Sequence, residues 1–362
     1  MGASGSSEIQ VTFDRPSLFF IAGEQIAGNI SFQNTQDKLV LDSIFLECTG
    51  ELGYTTRETR HFKDNQGRAQ TEHYTKRHHI PFIQVRVPVA QPQYGQREIT
   101  LYRGQHSWPF QFVLPQYLPP SLLPSTNSYP YVKYYTRIVL DKPWYKPSAK
   151  QVYPLTIFPR VNILHTPGGQ QPAAFSNQNR KKIRIQGYIM RSGVVPGDKL
   201  SIQIDLQNPK RSEIKKIEAT LMQHRHVARS SHTEVILRTD LPDLNEFNGT
   251  ELQKTFDITI PSVYLSPTYT YLSQNHASPL GVSVHYELLL DVKVRGLFTD
   301  FKMSVPIVVG TEPVTNELQQ QQQLHYQEQM NASLEIPMAS APLYEYDEPP
   351  PSYETVVTDQ KM

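Results

Sequence analysis

The chain has 362 residues, which gives room for about two or three domains with proper hydrophobic cores. Its hydrophobic content of 38% and charged content of 19% are ordinary for a soluble protein, while 29 prolines and few helical periods indicate an all-β chain. Because Cys48 is the single cysteine, no intrachain disulfide can form. Together with the lack of an apolar leader, this predicts a cytosolic location. No apolar run approaches the roughly 18 residues that a membrane span needs.

The net charge of +1 conceals an asymmetry along the chain. Residues 311–362 contain nine acidic side chains against Lys361 alone, a net of −8, so the remaining residues carry +9. A basic body of this kind is expected to face anionic lipid headgroups, phosphorylated peptides or its own acidic tail. No zinc-finger spacing, aromatic RNA-binding signature or basic helix accompanies the charge, so we predict no nucleic-acid partner.

The first seven residues, 1–7, are predicted to form a flexible leader. Gly2 and Ser6 match the N-myristoylation pattern, and an unmodified Gly/Ser-rich leader stays open as the alternative. A single acyl chain would anchor the protein only marginally, so a basic surface would have to supply the second membrane signal.

Residues 8–158 show the period of two that is typical of half-buried strands. The alternating apolar sets are Ile9, Val11 and Phe13; Ile26, Ile30 and Phe32; Ile44, Leu46 and Cys48; and Phe110, Phe112 and Leu114. Cys48 lies in the inward phase with no companion base, so we predict a core residue and not a catalytic thiol. Between residues 51 and 107 the turns and charges predict long hairpins with solvated faces.

Residues 159–180 lose this periodicity and are predicted to be an interdomain linker, and residues 181–310 a second domain. This second domain has the strongest basic signal of the chain. Its cations are Arg180, Lys181, Lys182 and Arg184 at the start, followed by Lys210, Arg211, Lys215 and Lys216, which are predicted to tip a hairpin. The interpretation is a surface for anionic lipid or phosphopeptide, with solubilising loop charges as the open alternative.

The second domain repeats landmarks of the first in the same order. Gly23-Glu24 and Gly197-Asp198 each precede an alternating strand that ends in Gln-Asn, at Asn34 and Asn208. The separation between the glycine and the asparagine is the same in both copies. The stretches 110–115 and 256–261 match in spacing, and Tyr135 and Tyr286 then each lead into an apolar strand. These matches predict two copies of one antiparallel β-sandwich, in tandem.

The tail, residues 311–362, is rich in glutamine and acidic residues and is predicted to be disordered. Pro350, Pro351 and Tyr353 form a Pro-Pro-x-Tyr (PPxY) motif, the spacing that WW domains read in a polyproline helix. Tyr353 and Val356 also fit a tyrosine-based sorting signal, an easily matched pattern. As a flexible coil the tail would have a span of about 40 Å, enough to bind one partner while the body holds another.

From Ile9 to Gly310 the sequence resembles the arrestin fold, two antiparallel β-sandwiches in tandem. The stretches that carry this resemblance are Gly23-Glu24, Gly104 to Pro115, Pro143-Trp144 and Gly187 to Asn208. With the PPxY motif in its tail, the chain looks like a member of the α-arrestins, the arrestin-domain-containing proteins.

This resemblance implies an adaptor whose body binds membrane receptors or transporters as cargo. Its PPxY motif would recruit the WW domains of a HECT-type ubiquitin ligase, promoting cargo ubiquitination, endocytosis and sorting at the plasma membrane and endosomes. Two features depart from the family pattern. No polar-core arginine of the visual and β-arrestins can be assigned, and the chain has one clear PPxY motif where many α-arrestins have two.

An alternative function is a structural subunit of an endosomal sorting coat, resembling the retromer subunit of this fold, which would have no need of a PPxY motif. An enzyme is a third class. The chain lacks a Gly-x-Ser-x-Gly elbow, a phosphate loop and a His-Glu-x-x-His motif, so we predict no catalytic residues, no metal ligands and no cofactor.

Overall fold

A computed structural model of the chain describes residues 8–63, 65–123, 129–142, 145–273 and 280–312. Within these ranges the chain forms eighteen strands and no helix. The strands, numbered in chain order, are β1 Glu8–Phe13, β2 Phe19–Ile21, β3 Gln25–Leu41, β4 Ser43–Lys63, β5 Ala69–Ala90, β6 Ile99–Val113, β7 Tyr131–Lys142, β8 Tyr145–Phe158, β9 Ala173–Gln178, β10 Arg184–Ile189, β11 Gly193–Val194, β12 Lys199–Gln207, β13 Ile214–Val227, β14 Ser230–Asp240, β15 Glu251–Thr259, β16 Tyr269–Ser273, β17 Leu280–Val294 and β18 Phe301–Val309.

The strands form two β-sandwiches that follow one another along the chain. The first sandwich packs a sheet of order β1-β3-β6 against a sheet of order β2-β8-β7-β4-β5. The second packs β15-β12-β10-β9 against β11-β18-β17-β13-β14, in which β16 also pairs with β17. Apart from two short parallel pairs, β2 with β8 and β11 with β18, the ladders are antiparallel. The prediction of an all-β chain with tandem sandwiches is confirmed.

Alternate residues of the strands build each core, as the period of two predicts. Ile30 and Phe32 of β3 are fully buried, and Ile204 and Leu206 occupy the matching places in β12. Cys48 is also buried, and desolvation raises the pKa of its thiol to about 12. At neutral pH the sulfur is therefore a protonated, apolar part of the core.

The structure shows why the repeated landmarks recur. Gly23 and Gly197 adopt left-handed φ angles of 88° and 93°, and each is the third residue of a turn that the next residue closes. Glu24 accepts the Ile21 N–H at 3.1 Å, and Asp198 accepts the Val195 N–H, also at 3.1 Å. Since only glycine adopts this backbone without strain, the Gly-acid pair marks the same turn in both copies.

One landmark requires a correction of a single residue. The counterpart of Tyr286 is Tyr134 and not Tyr135, because Tyr134 is the one whose side chain is buried in the core. Its hydroxyl donates to the Pro119 carbonyl at 2.6 Å, as the Tyr286 hydroxyl donates to the Ser266 carbonyl at 2.5 Å. Adjacent tyrosines on a strand face opposite sides, and the sequence alone does not say which faces inward.

Two segments differ from what the sequence predicted. Residues 159–180, predicted as a linker, contain β9, which pairs with β10 in the second sandwich and buries only Phe175. The loop 208–213 does not tip a hairpin, because it connects β12 in one sheet with β13 in the other. Strand partners depend on contacts that are distant in sequence, so local pattern did not reveal either arrangement.

The two sandwiches contact each other through polar groups. Ser230 Oγ accepts the Thr55 N–H at 2.9 Å and donates to the Thr55 carbonyl at 2.7 Å. Ser266 Oγ donates to the Ser121 carbonyl at 2.7 Å. In the described ranges no helix exists that is long and apolar enough to cross a membrane.

Candidate functional site

Several predicted site residues lie outside the described part of the chain. They are Gly2, Pro350, Pro351, Tyr353 and Val356. The WW ligand, the sorting signal and the myristoylation site therefore remain predictions from sequence. The predicted basic residues of the second sandwich, in contrast, all lie within the described ranges.

These basic residues come from loops that meet at one end of the second sandwich. The end is formed by loop 179–183 between β9 and β10, loop 208–213 between β12 and β13, and loop 295–300 between β17 and β18. Asn179 Nδ2 donates to the Thr299 carbonyl at 2.8 Å, and the Arg295 N–H donates to the Glu213 carbonyl at 2.9 Å. Three segments that are far apart in sequence thus form one surface, which we call the basic end.

An asparagine shapes each of the first two loops. Asn179 Oδ1 accepts the N–H groups of Lys181 at 2.9 Å and Ile183 at 3.0 Å. Asn208 Oδ1 accepts the Ser212 N–H at 3.0 Å, and its Nδ2 donates to the Ser212 carbonyl at 2.9 Å. Asparagine suits such turns because its short side chain hydrogen-bonds nearby backbone groups. The loops are therefore held in fixed conformations with their cations pointing outward.

Six of the eight predicted cations are exposed, and none of the six has an ion-pair partner among the described residues. They are Arg180, Lys182, Arg184, Lys210, Arg211 and Lys215. These side chains are available to bind an external anion. Exposed charges close together also raise the local positive potential, which attracts anionic partners over roughly a Debye length.

The other two cations are engaged within the fold. Lys181 Nζ donates to the Arg295 carbonyl, and Lys216 Nζ contacts Glu218 at 2.9 Å and Asp240 at 3.0 Å. Hydrogen bonds to Glu218 and Asp240 raise the pKa of Lys216. These two lysines therefore stabilise the local structure. The sequence did not reveal the ion pair between Lys216 and Asp240, because Asp240 lies on the neighbouring strand β14.

The sequence interpretation missed an apolar tip on the third loop. Leu297 and Phe298 leave 88% and 87% of their surfaces exposed, in the same loop as Arg295. Two hydrogen bonds to Val294 fix the conformation of this loop. Thr299 Oγ1 donates to the Val294 carbonyl at 3.1 Å, and Asp300 Oδ1 accepts the Val294 N–H at 2.9 Å. The available signal was an adjacent apolar pair, Leu297-Phe298, directly after a glycine that breaks the strand period.

Acidic residues near this tip neutralise its immediate cations. Glu213 binds Arg295 at 2.8 Å, and this hydrogen bond raises the pKa of Arg295. Asp291 contacts Lys293 at 3.1 Å and Lys302 at 3.3 Å. The free positive charge of the basic end therefore comes from loops 179–183 and 208–213 and their flanking residues, and the apolar tip stands beside it.

The arrangement suits the binding of a partner surface. In the residues that the structure describes, no three His, Cys, Asp or Glu side chains are grouped as metal ligands would be. A cationic surface beside an exposed apolar pair instead combines the two forces that attach proteins to anionic membranes.

Comparison with known proteins identifies the sandwiches. Residues 9–163 match the family model "Arrestin (or S-antigen), N-terminal domain", and residues 179–314 match "Arrestin (or S-antigen), C-terminal domain". Arrestin domain-containing protein 17 of Caenorhabditis elegans is 23% identical over 328 residues, which cover 85% of this chain and 71% of that protein. Arrestin domain-containing protein 4 of Homo sapiens is 22% identical over 354 residues, covering 95% and 79%. Both sandwiches are thus accounted for, and the chain belongs to the arrestin family as an arrestin-domain-containing protein.

Proposed function

We propose that this protein is an adaptor that binds membrane-protein cargo and recruits a WW-domain ubiquitin ligase of the HECT type. Arrestin-family proteins are generally non-enzymatic adaptors, which supports binding of cargo by the two sandwiches. The observation that carries the ligase step is the PPxY motif, Pro350, Pro351 and Tyr353, which follows both sandwiches in sequence. Recruitment would lead to ubiquitination, endocytosis and sorting of the cargo from the plasma membrane to endosomes.

The PPxY step is tested by replacing its tyrosine. Tyrosine offers an aromatic ring and a hydroxyl to a WW groove, so Tyr353→Ala should abolish most of this small interface. Ser352→Ala is the matched control, because the motif fixes no side chain at that position. Binding of the full chain to a purified tandem WW domain should fall at least about tenfold for Tyr353→Ala and remain within twofold for Ser352→Ala. Equal binding by both variants would rule out recruitment through this motif.

We further propose that the basic end holds the protein against an anionic membrane. The six exposed cations would contact lipid headgroups while Leu297 and Phe298 insert between them. Attachment of this kind would place the body at the membrane as a peripheral protein, from the cytoplasmic side, where receptors and transporters present their tails. Modification of Gly2 would strengthen the same attachment.

Sedimentation with vesicles separates the two forces. Leu297→Ser with Phe298→Ser should weaken binding to phosphatidylserine-containing vesicles at least about tenfold, because two exposed apolar side chains no longer insert. Tyr102→Ser with Val113→Ser is the control, since these residues are exposed on the first sandwich. Charge reversal of Lys210 with Arg211 should weaken binding to these anionic vesicles and reduce its decrease with rising salt.

Two results would contradict membrane attachment by the basic end. One is equal binding to neutral and anionic vesicles, which removes the electrostatic contribution. The other is an equal loss of binding in the tip variant and in its control on the first sandwich.

A further inference from the structure

The outer face of the sheet β15-β12-β10-β9 in the second sandwich carries a shallow depression of about 500 Å³. The side chains on the inner face of these strands, such as Ile185, Ile204 and Phe256, are buried in the core. The alternate side chains point outward, and those that line the depression include Ser176, Gln186, Tyr188, Gln203, Asp205 and Gln253. All four strands contribute to this set of six residues, which we call the amide face.

The register of the strands aligns these side chains in two adjacent rows. In one row Tyr188 of β10 lies opposite Gln203 of β12. In the next row Gln186 lies opposite Asp205, and Asp205 lies opposite Gln253 of β15. Directly paired residues of an antiparallel ladder share a face, with their Cβ atoms about 4.5–5.5 Å apart. Three amides and one carboxylate therefore lie within reach of a single small ligand, beside a tyrosine ring.

Hydrogen bonds between the strands hold these side chains in place. Gln186 Nε2 donates to Asp205 Oδ2 at 2.9 Å, and the Tyr188 hydroxyl donates to Gln203 Oε1. Each pair still has polar atoms for a ligand, because Gln186 Oε1, Gln203 Nε2 and Asp205 Oδ1 have no partner among the described residues. The amide face thus offers donors and acceptors whose positions are set before a ligand binds.

The charge of the depression excludes several classes of ligand. Asp205 is the one charged side chain among the described residues that line it, and Arg184, a cation on the same face, lies one row outside. An anionic ligand would meet this carboxylate without a compensating cation, while a divalent metal ion needs several oxygen ligands. An apolar ligand would leave the amides without hydrogen bonds. The ligand that fits is neutral and rich in hydroxyl groups.

Tyr188 adds an aromatic ring beside the amides, with 37% of its surface exposed. Its neighbour on β9 is Ala174, whose single methyl group leaves the flank of the ring open. A sugar ring has a C–H face that packs on an aromatic surface, and its hydroxyl groups each donate and accept hydrogen bonds. A tyrosine ring next to amide groups matches both parts of a sugar.

We propose that the amide face binds a neutral oligosaccharide, with one sugar ring packed on Tyr188 and its hydroxyl groups bonded to Gln203, Asp205 and Gln253. The Asp205 carboxylate accepts from hydroxyl groups in charge-assisted hydrogen bonds, and the two amides both donate and accept. The site uses no residue of the basic end or of the PPxY motif. The inference therefore goes beyond the proposed adaptor function and does not depend on it.

The position of the depression favours a saccharide over a peptide. Extended peptides bind sheets mainly by adding a strand at a free edge, where main-chain groups are unpaired. The middle of the depression lies on β10 and β12, and each of these strands is paired on both sides. A ligand there is recognised by side chains alone, which suits the hydroxyl groups of a sugar.

Affinity electrophoresis of the full chain tests the proposal. The gels contain glycogen, hydroxyethylcellulose, galactomannan or mannan as neutral polysaccharides, and dextran sulfate as the charged comparison. At least one neutral polysaccharide should retard the wild type. Tyr188→Ala and Asp205→Ala should each weaken that binding at least about tenfold, because the ring contact or the charged acceptor is lost.

Two further variants separate a binding role from a structural one. Tyr188→Phe keeps the ring and should weaken binding less than about threefold. Tyr94→Ala is the matched control, because Tyr94 is a fully exposed tyrosine in the loop between β5 and β6 of the first sandwich. Its binding should stay within about twofold of the wild type.

Each of four results would overturn the proposal. The first is that no neutral polysaccharide retards the wild type. The second is an equal loss of binding in Tyr188→Ala and Tyr94→Ala. The third is retardation by dextran sulfate alone, which would show a charge effect of the basic end. The fourth is binding of a glutamine-rich peptide through Tyr188 while no polysaccharide binds, which would assign the amide face to a peptide.

Discussion

The two sandwiches contain equivalent hairpins that end in different ways. In the first, β4 and β5 have 21 and 22 residues and leave the sheet at Gly53. In the second, β13 and β14 have 14 and 11 residues and end in a turn between Val227 and Ser230. In both sandwiches the first strand of the hairpin pairs with the central strand of its sheet: β4 pairs with β7, and β13 pairs with β17. The difference therefore lies in the part beyond the core.

The two ends also have different neighbours. Ser230, at the turn of the short hairpin, binds the backbone of Thr55 at the base of the long hairpin. The end of the short hairpin thus contributes to the contact between the sandwiches. The long hairpin extends beyond that contact, and its end is exposed to solvent on both faces. Equivalent elements of a duplicated fold can serve as an internal contact in one copy and as a free surface in the other.

The largest effect is expected in the cores, where the two copies are alike. Ile30 and Ile204 are fully buried at matching positions of β3 and β12. Replacing either by alanine should lower the free energy of unfolding by about 2–5 kcal/mol, because a cavity remains and apolar contacts are lost. Denaturant unfolding followed by fluorescence measures both variants. A loss below about 1 kcal/mol at one position only would show that the two cores are not equivalent.

A smaller effect is expected at the contact between the hairpins. Ser230→Ala removes the hydroxyl that both accepts from and donates to the Thr55 backbone, which should cost about 0.5–1.5 kcal/mol. Hydrogen exchange of the Thr55 amide should become faster by about two- to tenfold, in proportion to that loss. Ser231→Ala is the control, since Ser231 is exposed on the same strand. Unchanged exchange at Thr55 in Ser230→Ala would contradict the contact.

The strands and the repeat could be predicted from sequence because both depend on local pattern. Alternation at Ile26 and Ile30 predicts a strand whatever its partner, and the Gly-acid pair at Gly23 and Gly197 marks a turn through its own backbone conformation. Burial of Cys48 follows from the same period. In each instance the residues that carry the signal are neighbours in sequence.

The surfaces could be predicted only in part, because they depend on register and on loops that are distant in sequence. One face of the β4–β5 hairpin beyond Gly53 carries no carboxylate because Thr55 pairs with Arg77. A shift of the register by one residue would bring Glu58 and Glu72 beside the cations of that face. Lys216 was predicted as a free cation, yet Asp240 of β14 binds it. The basic end likewise needed three loops to be brought together by the fold.

The most direct test of the adaptor hypothesis is ubiquitination of a membrane protein that proximity labelling identifies as a partner of the wild-type chain. The measurement compares cells that express wild type, Tyr353→Ala or Ser352→Ala. The hypothesis predicts that Tyr353→Ala still co-purifies with the membrane protein but loses the ligase and the ubiquitination, while Ser352→Ala retains all three. Full ligase binding and ubiquitination with Tyr353→Ala would contradict it.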